Sequence, residues 1–317
     1  MHTLRDWIFC AIALIVIFPS YAEETAPGKP EIFTAIHGTV GAGIVCDGQG
    51  SMFVGKNGCL LRITPDGRTA VHCNLDALPK GKDYYFKSPL IWDMVFDADG
   101  TLVAAAQDRI LRIYPDGSVM LVIREDFDGF VGASGLAFDR SGNLYVTSGN
   151  RVLRFTPRLE RSVFIHTPGI ALKWEGLEFD LELKSFNHLA FDPGYKNLYV
   201  SEFTSSTLLR YPIRADGTPG EPVIVFDGYT DDLDQAPLNV VFGETGSIYV
   251  SNDFSSRILK MDAAGRKSII PIPGKLRNHM IAFGGRGFEE ECLYFTTYDG
   301  DYVYKIHVGE KSAVRLK

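Results

Sequence analysis

Nothing in this chain gathers charge of one sign into a block. Its 32 Lys and Arg are interspersed with 39 Asp and Glu, for a formal charge of −7, whereas a nucleic-acid-binding face needs its basic residues clustered. Cysteine is scarce, with five in 317 residues and no C-x-x-C pair. That excludes a disulfide-dense scaffold and the usual spacing of zinc and redox sites. No Gly-x-Ser-x-Gly elbow, His-Glu-x-x-His pair or phosphate-binding loop occurs, so serine-hydrolase, zincin and nucleotide-enzyme readings have no support. Long apolar runs are missing too. The run from Trp7 to Phe18 has about 12 residues where a membrane-spanning helix needs roughly 20.

That short run has another use. Arg5 precedes it, Pro19-Ser20-Tyr21-Ala22 follows, and Glu23-Glu24 comes next, the layout of a signal peptide with small residues before the cut. The reading is a signal peptide over 1–22, cleavage after Ala22, and one domain over 23–317 without a transmembrane segment, secreted or periplasmic. Cys46, Cys59, Cys73 and Cys292 remain in it, as small buried hydrophobes or as one structural bridge. A three-residue Pro65-Asp66-Gly67 loop would set Cys59 opposite Cys73 on paired strands, within disulfide reach.

From residue 40 onward one phrase returns six times: an apolar run, a Gly-containing turn, a β-branched or aromatic run, a polar break, and a run carrying Arg or Lys. One copy is Gly135-Leu-Ala-Phe138, Leu144-Tyr-Val146 and Val152-Leu-Arg-Phe155. The aligned Cys46, Phe96, Phe138, Phe191, Phe242 and Phe283 recur at intervals of about 41–53 residues, the period of propeller blades. Short runs joined by Asp-Gly and Pro-Asp-Gly turns are strands in hairpins. The pattern predicts an all-β fold, a six-bladed β-propeller of four-stranded blades. Ring closure borrows an outer strand from the opposite chain end, either Glu31–His37 or Ser312–Leu316.

Phrases such as Gly135-Leu-Ala-Phe-Asp-Arg-Ser-Gly-Asn-Leu-Tyr-Val146 and Asn187-His-Leu-Ala-Phe-Asp192 with Leu198-Tyr-Val-Ser-Glu202 resemble the senescence-marker protein/gluconolactonase family and its NHL-repeat relatives. The resemblance covers roughly residues 40–307. It implies a six-bladed propeller, lactone- or ester-hydrolase activity, and one divalent cation, usually calcium, held by a first-blade Glu, middle-blade Asn side chains and a fifth-blade Asp. Asn187 matches the Asn. Ala42 stands at the Glu position, and Leu238 at the Asp position with Asn239 beside it. The same scaffold carries non-catalytic ligand- or protein-binding modules.

In such a ring the start of each innermost strand faces the central channel. Those positions are Ala42/Gly43, Trp92/Asp93, Ser134/Gly135, Asn187/His188, Leu238/Asn239 and His279/Met280. Asp93, Asn187, His188, Asn239 and His279 are expected to form a polar cup at one depth. Asp93, Asn187 and Asn239 could hold a relocated calcium-like cation. Without a metal, His188 and His279 with Asp93 are the candidates for proton transfer, an imidazole titrating near pH 6.5 when unperturbed. Asn187, Asn239, Ser134, Trp92, Glu202 and Asp253 are candidate substrate contacts. Asp108, Asn150, Asn252, Tyr298 and Asp299 stand in loops on the same rim. Long connections over 75–91 and 167–186, with Tyr84, Tyr85 and Trp174, supply aromatic walls for a small organic ligand, the expected partner.

Overall fold

The computed structural model describes residues 28–37, 40–78, 89–106, 109–124, 132–167, 170–174, 177–181, 186–228, 237–252, 255–272, 278–297 and 300–314, with backbone alone at 40–42, 170–174, 177–181, 278 and 279. The signal-peptide reading falls outside them. Six four-stranded antiparallel meanders follow one another around an axis. Blade 1 holds Val40–Cys46, Met52–Lys56, Cys59–Ile63 and Thr69–Asn74; blade 2 holds Asp93–Phe96, Leu102–Ala106, Arg109–Ile113 and Val119–Arg124. Blade 3 holds Leu136–Phe138, Leu144–Ser148, Arg151–Phe155 and Arg161–His166, and blade 4 holds Phe186–Phe191, Asn197–Glu202, Thr207–Pro212 and Val223–Asp227. Blade 5 comprises Pro237–Phe242, Ile248–Asn252, Arg257–Met261 and Lys267–Pro271. Among the described residues there is no helix, so none long and apolar enough to cross a membrane.

Blade 6 takes Asn278–Phe283, Cys292–Thr297 and Tyr302–His307 from the C-terminal side and Glu31–Ala35 from the N-terminal side. Glu31 pairs with Lys305 and Ala35 with Tyr302. The N-terminal strand therefore closes the ring, and the other candidate, near Ser312, instead bridges to Gly243 in blade 5. A two-stranded hairpin, Ile170–Trp174 with Leu177–Leu181, is inserted between blades 3 and 4.

Packing explains the alternation in the sequence. Each second strand is buried on both faces, as in Leu102–Ala106 and Ile248–Asn252, because a blade is sandwiched between two neighbours. Among the described residues the buried apolar side chains fall into six clusters; Tyr145, Val152, Leu189 and Val200, for example, join blade 3 to blade 4. The Arg or Lys inside each third strand sits at a wetter position, as with exposed Arg62 between buried Leu61 and Ile63, whereas Arg109 at the start of its strand is buried.

The Cys59–Cys73 contact does not form as expected. Opposite Cys73 stands Leu60, and opposite Cys59 stands Asn74, because the register slips by one residue between Leu60 and Leu61. A one-residue slip reverses faces. Cys73 accordingly packs between blades 1 and 2 while Cys59 packs toward blade 6, and both are free thiols.

Candidate functional site

The strand starts are built by a bulge that repeats around the ring. In blade 4, Phe186 pairs with Glu202 but Leu189 with Val200, leaving one extra residue on the inner strand. Pro237/Val240 in blade 5 and Asn278/Ile281 in blade 6 repeat the irregularity. A bulge re-aims a side chain and takes its N–H out of the ladder. A hydroxyl on the second strand repairs the loss: Thr147 Oγ1 accepts the Gly135 N–H at 2.7 Å, Ser201 Oγ the His188 N–H at 2.9 Å, and Ser251 Oγ the Asn239 N–H at 3.0 Å. Thr147 and Ser201 then donate to the next blade, to Asn187 O at 2.6 Å and Leu238 O at 2.7 Å. These hydroxyls are fully buried. Sequence reasoning missed them, although Thr or Ser follows the aromatic-Val/Phe pair in four copies, at Thr147, Ser201, Ser251 and Thr296.

Three of the expected residues meet at the axis. Asp93, His188 and Asn239 are 3%, 7% and 4% exposed. His188 Nε2 lies 3.2 Å from Asp93 Oδ2 and 3.1 Å from Asn239 Nδ2. Each also serves an inner strand edge. Asp93 accepts the N–H of Met94 and of Leu136, both at 2.8 Å; Asn239 Oδ1 accepts the Ile281 N–H at 3.0 Å. The Val240 N–H points at His188 Nδ1 at 3.4 Å. With Nδ1 the acceptor, the proton of neutral His188 sits on Nε2 and is donated to Asp93, and the Asn239 Nδ2 3.1 Å away, itself a donor, makes no hydrogen bond to that nitrogen.

The other positions behave differently. Gly135 has no room for a side chain, since a Cβ there would lie 2.6 Å from Asn187 O and 2.7 Å from His188 Cα. Asn187 is half-buried and contributes its backbone carbonyl to Thr147, while its side-chain amide meets no partner among the described residues. Ser134 and Trp92 are half-buried outside the axial cavity, Trp92 against the apolar cluster that includes Leu238 and Met280. Glu202 is buried, but its carboxylate accepts the N–H of Thr204 and Ser205 and the Ser205 hydroxyl, so it shapes its own turn. Asn150 likewise donates to Thr167 O at 3.1 Å. The His279 side chain, Asp253, Asp108, Tyr298 and Asp299 lie outside the described residues.

The trio lines one end of an axial cavity of about 300 Å³, whose walls are otherwise mostly apolar, with Val95, Phe138 and Val240 among them. Cys46, Ser312 and Val314 also border it. Burial pushes the Cys46 thiol up to about 12, against a smaller opposing effect of its hydrogen bond with the Gly285 backbone, so the thiol stays protonated and unreactive.

A divalent cation of the kind the family resemblance implies does not fit this donor set. A hard cation wants several free oxygens, yet both carboxylate oxygens of Asp93 and the amide oxygen of Asn239 accept backbone N–H groups. Among the described residues no three His, Cys, Asp or Glu side chains come together as ligands.

No protein-family model and no curated protein sequence matches the chain. Solved structures do match in fold. A protein assigned as a gluconolactonase superposes with a TM-score of 0.68 at 16% identity, over 90% of this chain and 93% of its own. A luciferin-regenerating enzyme gives 0.65 at 14% identity over 91% and 93%, and a gluconolactonase of Xanthomonas campestris gives 0.62 at 17% over 90% and 87%. At such identities the likeness is one of fold alone: a six-bladed propeller.

Proposed function

We propose that the chain is an exported, small-molecule-handling propeller that hydrolyses a lactone or ester in its axial cavity, with Asp93 and His188 as the acid–base pair. The observation that carries this reading is the buried carboxylate–imidazole contact between blades 2 and 4, beside the Asn239 amide. A cavity of about 300 Å³ sits at the small end of ligand pockets, which suits a compact ring or a short ester. Hydrolase activity among propellers of the same fold supports the chemistry by analogy alone.

The residues divide the work as follows. Asp93 holds the Nε2–H of His188 and favours the imidazolium that forms. Nδ1, met among the described residues by the long Val240 contact, takes a proton from water as that water bonds to the substrate carbonyl carbon. When the carbon–oxygen bond to the alcohol breaks, the same proton passes from Nδ1 to the departing oxygen. Ester and water become acid and alcohol, and His188 returns to neutral. The Nδ2–H of Asn239 is the neighbouring donor for negative charge on the carbonyl oxygen. General acid–base action of this sort contributes about 10²–10⁴-fold. No step passes through a metal ion.

A second reading, a non-catalytic binding propeller, has its own support: each residue of the trio already ties one inner strand to another through one of its polar atoms. Turnover separates the two. The mature protein, stripped with a chelator, is offered a panel of five- and six-membered lactones and aryl esters. Hydrolysis that survives chelation is expected. Saturable binding of the same compounds without turnover would establish the binding module instead, and activity that returns only with added calcium would refute the metal-free pair.

A further inference from the structure

The cavity has a second mouth, at the end of the inner strands away from the trio, and the blade-5 turn beside it differs from those of blades 1 to 4, as does that of blade 6, which begins with Gly284. In blades 1 to 3 the hairpin after the first strand begins with Asp47, Asp97 or Asp139, whose Oδ1 accepts the N–H groups two and four residues on. Asp192 does similar work in blade 4. Blade 5 has Gly243 there. The backbone turn is unchanged, Gly243 N donating to Ser247 O at 2.8 Å as Asp47 N does to Ser51 O at 2.9 Å, but its carboxylate comes from far along the chain. Glu310 Oε2 accepts the Thr245 N–H at 3.2 Å and the Thr245 hydroxyl at 2.6 Å, and Oε1 accepts the Tyr249 hydroxyl at 2.6 Å. Tyr145 meets Asp139 in the same manner in blade 3. A Cβ on Gly243 would collide with the Glu310 carboxylate, which supplies all three of its nearest atoms.

Around that carboxylate the C-terminal segment is laid across the mouth. Glu244 N donates to Lys311 O and Ala313 N to Phe242 O, each at 2.8 Å. Ser312 and Val314 thereby border the axial cavity, and next to them Cys46 is 7% exposed, bordering both that cavity and a surface hollow lined by Lys311 and Val314.

We infer that residues 308–314 are a strap sealing the lower mouth of the axial cavity, latched by Glu310 in place of the carboxylate that the blade-5 turn lacks. Release of the latch opens a route to Cys46 and the apolar end of the cavity for small uncharged molecules. The trio is not involved, so the strap stands or falls separately from the hydrolase reading.

Glu310→Ala alone removes the carboxylate that Thr245 and Tyr249 donate to and that Lys260 Nζ faces at 4.0 Å, so the decisive variant is Gly243→Asp with Glu310→Ala in the full mature chain. It returns a carboxylate to the turn from its own blade and leaves the strap unlatched. N-ethylmaleimide labelling is read by peptide mass spectrometry at Cys46, with buried Cys292 as the reporter of global opening, and hydrogen exchange is followed at the Ala313 amide. Cys46 labelling and Ala313 exchange are expected to rise at least tenfold with Cys292 unchanged. Wild-type rates at Cys46 and Ala313 would overturn the latch. A parallel rise at Cys292 would overturn the strap as a separately opening element.

Discussion

His188→Ala removes the partner of Asp93 and the acceptor facing Val240 N–H. The first loss is a hydrogen bond to a charged group, worth about 1.5–3 kcal/mol. The second adds little, since 3.4 Å is beyond the 2.7–3.2 Å of a good N–H bond. Asp93 keeps the N–H groups of Met94 and Leu136, which holds the cost below the ~3–5 kcal/mol of a stranded buried charge. About 2 kcal/mol is expected, roughly 4–8 °C in Tm at 2–4 °C per kcal/mol. Urea and thermal melts of His188→Ala, Asp93→Asn and the double variant form a cycle whose coupling should reach about 1.5 kcal/mol or more, whereas independent sites add within ~0.5 kcal/mol. Asn187→Ala, which loses no side-chain bond among the described residues, should stay within ~0.5 kcal/mol. Additive Asp93 and His188 losses, or an Asn187→Ala cost equal to that of His188→Ala, would refute the trio as the bonded unit.

Gly135→Ala should destabilise by at least ~1–3 kcal/mol in a urea melt, because its new methyl meets the backbone of residues 187–189, which cannot rotate aside. Non-reducing intact mass of the folded chain should show Cys59 and Cys73 as free thiols, since the register turns them to opposite faces of blade 1; loss of two hydrogen atoms localised to that pair would contradict the register. Burial pushes the Glu310 carboxyl up, but hydrogen bonds from Thr245, Tyr249 and Ser247 outweigh it and hold the group below the 4.5 of a free Glu. The folded value being the lower one, its stabilisation is complete above pH 4.5 and is lost as the pH falls through the folded value. The Ala313 protection factor should therefore drop in that acid range in the wild type and be independent of pH there in Glu310→Gln. Deleting Glu31–Ala35 removes the outer strand of blade 6 and should leave a chain that melts at markedly lower temperature or fails to close.

The ring was legible because strand period, hairpin residues and blade length repeat together, and no single copy has to carry the inference. Pattern reading failed by one residue at Cys59–Cys73. Nothing in Leu60-Leu-Arg-Ile63 or Thr69–Cys73 announces the slip between Leu60 and Leu61, and a period-2 signal has no memory of an inserted residue. At the strand starts the correct pairs of positions stood out, yet which member of each pair turns inward is decided by the bulge, and it selects His188 and Asn239 over Asn187 and Leu238. Glu202 read as a rim carboxylate because charge in a loop carries no sign of the turn it stabilises. Glu310 gave no signal at all, its target turn lying 65 residues away.

The axial pair is tested most directly by steady-state hydrolysis of the best lactone or ester from the panel, comparing wild type with His188→Gln and Asp93→Asn, each first shown to be folded by its near-ultraviolet spectrum. In chelator-treated protein kcat/KM is expected to fall by about 10²-fold or more for His188→Gln, the scale of a lost general base, with a similar or smaller fall for Asp93→Asn. A folded His188→Gln that hydrolyses the substrate at the wild-type rate would contradict the assignment.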